Sequence, residues 1–199
     1  RIGSAIDPSK IEYIISNHTE MDHSGTIDRL LEQCPNAQIV CSPKGAEGLK
    51  RHFKKDWQCK VVNTGDKLDI GSRKLQFLLM PMVHWPDSMA TYSENDKVLF
   101  PNDAFGQHYA SSQRYADDIG WDIVYREAAK YYGNIVMPYG NQVLKVLDAV
   151  SSLSIDMIAP SHGLIWRTQE DIRKITAAYR RWAAHQTEPR VVIAYDTMW

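Results

Sequence analysis

Strand-like apolar segments in this chain keep ending on potential metal ligands, and that recurrence limits the fold more than any other feature. IEYIIS (11–16) runs into SNHTEMDHSG, which holds His18, Glu20, Asp22 and His23. KLQFLLM (74–80) leads to His84 in PMVHWPDS, KVLFPND (97–103) ends on Asp103, and DMIAPSHG (156–163) carries His162. A sheet can aim such side chains at one point because strand ends are rigid and the loops after them are free to vary. A lone loop histidine means little; seven residues placed this way point to a shared site. His52 and His185 read as solvated, and His108 lies near enough to Asp103 to line a site without ligating.

Between these segments the pattern alternates. Ile27, Leu30, Leu31 and Cys34 recur at helical spacing up to Pro35, and AQIVCS (37–42) reads as a strand. Ser42–Pro43 is an N-cap with proline at the first helical position, opening a helix to about Phe53. CKVVN (59–63) and DKLDI (66–70) read as strands, the latter joined to 74–80 by a turn at Gly71–Ser72. MATYS and KVLFPND form a hairpin across Glu94–Asn95–Asp96. Residues 121–152 are two helices broken near Pro138–Tyr139–Gly140, and Thr168 with Asp171 starts a helix to about His185 in the manner of a capping box. Hairpins mixed with helices predict an α+β fold of sheets flanked by helices, not a doubly wound parallel sheet.

Composition excludes several classes. The 199 residues are 44% hydrophobic and 24% charged, which fits one soluble domain. A net charge of −1 and a pI near 6.7 give no field for nucleic acid or an acidic membrane, and no apolar run approaches the ~20 residues that span a bilayer. Cys34, Cys41 and Cys59 are odd in number and lack C-x-x-C spacing, so they read as reduced core thiols of a cytoplasmic protein.

Four imidazoles and three carboxylates, with no thiolate, are too many ligands for one tetrahedral zinc. They suit two metals with a carboxylate between them, and the mixed set fits non-haem iron or manganese. Glu20 stands where a His-x-His-x-Asp-His motif would have its second histidine. A harder anionic donor there stabilises a higher oxidation state and favours redox work over hydrolysis.

The motif H-x-E-x-D-H, followed by His84, Asp103 and His162, resembles the flavodiiron proteins (A-type flavoproteins). Intervals of 60, 18 and 58 residues separate His23, His84, Asp103 and His162, and the words HWPDSM (84–89), NDAFGQH (102–108) and YDTMW (195–199) agree as well. The resemblance implies a metallo-β-lactamase-like αββα sandwich, truncated at its N-terminus. Residues 1–188 would be the diiron domain lacking its first strands, and 189–199 a linker and the first strand of a flavodoxin-like FMN domain. Thr197, Met198 and Trp199 would begin the FMN phosphate loop. His18, Glu20 and His84 would hold one iron, Asp22, His23 and His162 the other, with Asp103 bridging; no catalytic residue beyond the ligands is implied. Such proteins reduce dioxygen to water or nitric oxide to nitrous oxide with electrons passed through FMN. The resemblance further implies a rubredoxin-like or deazaflavin-type donor and a head-to-tail homodimer or tetramer. Asp87 and Ser88 are candidates for orienting His84 or its neighbours, Trp85 for lining the pocket and Tyr92 for core packing. Two rival readings are a dizinc hydrolase of the same fold, which Glu20 opposes, and a diiron oxygen-sensing module without a flavin domain.

Overall fold

The computed structural model describes residues 2–187 together with 189, 191 and 193. The strand expected at 191–195 falls largely outside the described residues, and Thr197, Met198 and Trp199 lie wholly outside them. Two sheets stack face to face. The first is parallel, in the order β1 (Tyr13–Ser16), β2 (Gln38–Cys41), β3 (Lys60–Val61), with Ile15 opposite Val40. The second runs β4 (Lys67–Asp69), β5 (Lys74–Leu79), β6 (Met89–Ser93), β7 (Val98–Phe100), β8 (Met157–Ile158). Its first three pairings are antiparallel, and β7 pairs with β8 in parallel.

Side-chain alternation divides the core into three clusters that define four layers. In β2, Ile39 and Cys41 face Ile27 of α2 (Ile27–Gln33) and Leu49 of α3 (Pro43–Phe53). Val40, between them in sequence, points the other way and meets Leu68, Leu75, Phe77 and Met89 of the second sheet. Leu78 and Ala90 are one residue out of step with Phe77 and Met89, so they face the opposite side. There they join the largest cluster, with α4 (Trp121–Ile135), α5 (Gly140–Val150) and α6 (Gln169–Ala183). The order is therefore helix, sheet, sheet, helix, as expected.

Helix starts follow their caps. Ser42 Oγ accepts from the Gly45 amide at 2.9 Å, and Thr168 Oγ1 from the Asp171 amide at 3.1 Å. The Asp171 carboxylate does not reach back to the cap's amide as a glutamate would; it takes the Thr168 hydroxyl at 2.8 Å instead. A 3-10 turn at Met137–Tyr139 separates α4 from α5 at the expected break.

Three expectations are corrected. The strand read at 11–16 starts at Tyr13, after 3-10 turns at Ile2–Ser4 and Pro8–Lys10. The strand at 59–63 and the strand that opens DMIAPSHG before its histidine loop shrink to two residues each, because pairing with β2 and β7 is that short. The ligand motif is not all loop: α1 (Met21–Ser24) turns once through it. No helix among the described residues is long and apolar enough to cross a membrane.

Candidate metal centre

β1 delivers Asn17 and His18 to the edge of the sandwich, and α1 turns the chain so that Asp22 and His23 come back beside them. The second sheet supplies the rest: His84 from the β5–β6 connection, Asp103 just after β7, and His162 just after β8. All seven residues meet, in two groups whose ligand atoms lie within 4.8 Å of one another: His18, Glu20, His84 and Asp103 in one, Asp22, His23 and His162 in the other.

Asp103 sits between them. Its Oδ2 lies 3.6 Å from His18 Nε2 and 3.5 Å from His84 Nε2, while its Oδ1 lies 3.0 Å from His23 Nε2 and 3.3 Å from His162 Nε2. Each group has a further carboxylate: Glu20 Oε2 is 3.3 Å from both His18 and His84, and Asp22 Oδ2 is 3.5 Å from His23 and 3.3 Å from His162. One buried carboxylate thus divides its two oxygens between two half-sites.

The surroundings aim these groups. Asp87, buried, accepts at Oδ2 from His18 Nδ1 (3.0 Å), the Thr19 amide (2.7 Å) and the Thr19 hydroxyl (2.9 Å). With its Nδ1 proton held there, His18 presents the Nε2 lone pair to the site, the usual arrangement behind a ligating histidine. Ser88, the other candidate, accepts from the Trp85 amide and closes a turn. Trp85, exposed, stands edge-on to His18 with ring centroids 5.1 Å apart. Tyr92 is core: its hydroxyl donates to the Ser154 carbonyl. His108 stacks edge-on against Tyr131 and against His162, 5.8 Å away, and so lines the site without joining either group, whereas His52 and His185 are exposed. Behind the cluster a cleft of about 590 Å³ reaches His18, Asp22 and His23.

Sequence reasoning missed Tyr131 and Asn102. Tyr131, on α4, donates to Asp103 Oδ1 at 3.2 Å, and Asn102 Nδ2 to Oδ2 at 2.9 Å. Asn102 lay in a word already singled out; nothing in the sequence near Tyr131 ties it to Asp103. Gln107 then clamps the loops together, accepting from the Leu164 amide and donating to the Phe105 carbonyl. Gly163 makes this possible: at φ +81°, a Cβ there would fall 2.4 Å from Gln107 Oε1.

The charges agree. Burial would push the Asp103 carboxyl up, but His162, His23 and His84 hold it well below the usual carboxylate range. Burial lowers the basicity of His18, and Asp87 more than offsets this, leaving the ring more basic than usual. His162 is raised by its contact with Asp103. Burial and the nearby Asp103 charge push the Tyr131 phenol far up, so it stays a donor. His23 Nε2 is buried, and although Asp103 Oδ1 lies 3.0 Å away, no group among the described residues meets it in hydrogen-bond geometry. That orphaned nitrogen, and four Nε2 atoms facing three carboxylates, fit a pair of divalent cations.

This sandwich is a metallo-β-lactamase-like domain, and its donor set makes two groups that could each hold a metal ion. Residues 1–163 match the family model described as ODP family beta lactamase, and the chain belongs to that family. It is 46% identical over 196 residues to a nitric oxide reductase of Moorella thermoacetica, covering 97% of this chain and 49% of that protein. Among solved structures it is similar to rubredoxin oxygen:oxidoreductase of Desulfovibrio gigas (TM-score 0.89, 38% identity, 92% of this chain and 46% of that one). It is also similar to the flavodiiron protein of Giardia intestinalis (TM-score 0.88, 36% identity, 94% and 46%). The chain spans about half the length of the curated relatives it matches.

Proposed function

We propose that residues 1–188 are the diiron domain of a non-haem reductase of dioxygen (to water), of nitric oxide (to nitrous oxide), or of both, supplied with electrons through FMN. On this reading residues 189–199 are the linker and first strand of the FMN domain, with Thr197, Met198 and Trp199 at the flavin phosphate. The observation that carries the reading is the division of the Asp103 carboxylate between two half-sites, each with two imidazoles and a carboxylate of its own. Glu20 supports redox chemistry over hydrolysis. The names of the relatives, a nitric oxide reductase and a rubredoxin oxygen:oxidoreductase, support both gases as substrates and a rubredoxin-like donor, with a deazaflavin-type donor as the alternative. A head-to-tail homodimer or tetramer in the cytoplasm completes the proposal.

His18, Glu20 and His84 would hold one iron, Asp22, His23 and His162 the other, and Asp103 both. Two bound irons supply electrons singly and act as Lewis acids toward an oxygen-bearing ligand. The chain's own part is positional. Asp87 fixes the tautomer of His18; Tyr131 and Asn102 fix the plane of the Asp103 carboxylate, so the distance between half-sites is set before metal arrives. Glu20, Asp22 and His162 stay partly open to solvent, which leaves an approach to the cluster for a small neutral gas.

Metal analysis and gas turnover test this on the full-length protein prepared without oxygen. About two irons per chain, with consumption of oxygen or nitric oxide, are expected from this donor set. Two zincs with ester or lactam hydrolysis and no gas uptake would overturn it.

A further inference from the structure

The loop that carries Asp103 is wired into a run of tryptophan and tyrosine rings that ends at the surface. Trp166, fully buried, donates its indole N–H to the Phe105 carbonyl at 2.9 Å, two residues from Asp103. Its ring lies 6.1 Å from that of Trp121, which stacks on Tyr125 at 5.3 Å. A branch starts from the same loop: the Phe105 amide donates to Tyr179 at 2.7 Å, Tyr179 lies 5.5 Å from Trp182, and Trp182 lies 5.5 Å from Tyr125. Both branches converge on Tyr125. Packing alone asks only for buried area, which leucine or phenylalanine supplies; these five positions all hold the two side chains that give up an electron most readily.

We propose that Trp166, Trp121 and Tyr125, with Trp182 and Tyr179 as a parallel branch, carry electron holes from the Asp103–Phe105 loop to the protein surface. Neighbouring charges set the direction. Indole can be oxidised without releasing its proton, which suits buried Trp166, and the acceptor on its N–H favours the cation. Lys174 Nζ lies 5.2 Å over the Trp121 ring, so a positive charge does not rest there. Tyr125 is half-buried and its oxygen accepts from Arg181 Nη2 at 2.6 Å, so the ring that ends the run lies where solvent can reach it. Tyr132, packed against Tyr179 and Trp182, has a buried hydroxyl with no acceptor among the described residues, so its proton has no exit and it is not a resting place.

The step balances as follows. An oxygen-derived radical at the loop takes one electron from Trp166. Trp166 is refilled from Trp121 and Trp121 from Tyr125, whose phenolic proton leaves to water. Both indoles return to their starting state, the oxygen radical ends as its anion and is protonated from water, and a small thiol in solution donates a hydrogen atom to the Tyr125 phenoxyl, its thiyl radical pairing with a second one as a disulfide. The ligand histidines are thereby spared from one-electron damage. The purpose of the route rests on the proposed oxygen chemistry; the route itself does not need the metal.

Pulse radiolysis of the metal-free chain with azide radical, which oxidises tryptophan selectively, tests the route. Indolyl radical absorption should decay at a rate independent of protein concentration while phenoxyl absorption grows in. Tyr125→Phe should abolish most of that growth, and Trp121→Phe should slow it by about tenfold, with circular dichroism unchanged since both side chains are half-buried. Trp57→Phe, against Phe53 on the far side of the molecule, should change nothing. Equal kinetics in all variants, or decay that scales with concentration, would overturn the proposal. A second arm loads the chain with ferrous iron, adds stoichiometric hydrogen peroxide and maps spin-trap adducts by mass spectrometry. Adducts at Tyr125 support the route, and adducts confined to the ligand histidines or Tyr131 refute it. If no iron binds, the metal reading fails while the radiolysis result still decides the route.

Discussion

At His18 the nitrogen turned away from the site ends on Asp87, and one oxygen of that carboxylate takes three donors. Removing it strands the Thr19 amide and hydroxyl as well as the imidazole. Asp87→Ala should therefore cost about 2–3 kcal/mol in urea denaturation of the metal-free chain, the penalty for buried donors left unpaired. It should also weaken metal binding by about 10–100-fold; Asp87→Asn, which keeps an acceptor oxygen, should retain most of the stability. His18 and His162 also set a pH dependence. Both are raised in the folded state above 6.5, so they bind protons more tightly folded than unfolded. Their contribution is fully present below pH 6.5 and lost as pH rises through the folded values. The metal-free chain should thus be more stable near pH 6 than near pH 8, while metal affinity should move the opposite way, because protons and metal compete for the same nitrogens. Urea midpoints and metal titrations at the two pH values check both signs.

Elements differ in how locally they are specified, and the caps show it. Thr168→Ala should cost about 1 kcal/mol, the usual value of an N-cap, and leave metal binding alone, since Thr168 touches only the first turn of α6. Ser42 caps α3 and also donates to the Asp87 carbonyl at 2.6 Å. Ser42→Ala should cost more than Thr168→Ala and weaken metal binding too; equal costs with unchanged binding would remove this link between helix and site. The same contrast explains what was legible. The cap, the proline and the apolar spacing of α3 all lie within or beside it, and the helix expected from Pro43 to about Phe53 is found at Pro43–Phe53. β3 and β8 exist only through two-residue pairings with distant partners, which no local pattern encodes. The single turn of α1 is too short to show a helical period. The seven converging residues were legible because strand ends and chemistry coincide. Tyr131 was not, since it arrives at Asp103 from the middle of a helix 28 residues away.

Across the whole molecule, the site joins the two sheets. His18 to His23 follow a strand of the first sheet; His84, Asp103 and His162 follow strands of the second. Another tie between the sheets is the apolar cluster around Phe77, which is fully buried against Val40. Bound metal should act as a second tie, one that the unfolded chain cannot form. Saturation at about a hundred times Kd should raise unfolding stability by about 2.7 kcal/mol, and at about a thousand times by about 4.1 kcal/mol. The two half-sites should be separable in this measurement. Asp22→Ala touches only the group with His23 and His162, so one metal and part of the stabilisation should survive. Asp103→Ala removes the carboxylate that serves both groups, and both metals with nearly all of the stabilisation should go. Phe77→Ala should instead lower the stability of metal-free and metal-loaded chains by a similar amount, about 3–5 kcal/mol, since it cuts the apolar tie and leaves every ligand in place. Loss of a single metal in Asp103→Ala would mean that its two oxygens do not span two ions, and the division of that carboxylate would then be a hydrogen-bonding arrangement without a metal behind it.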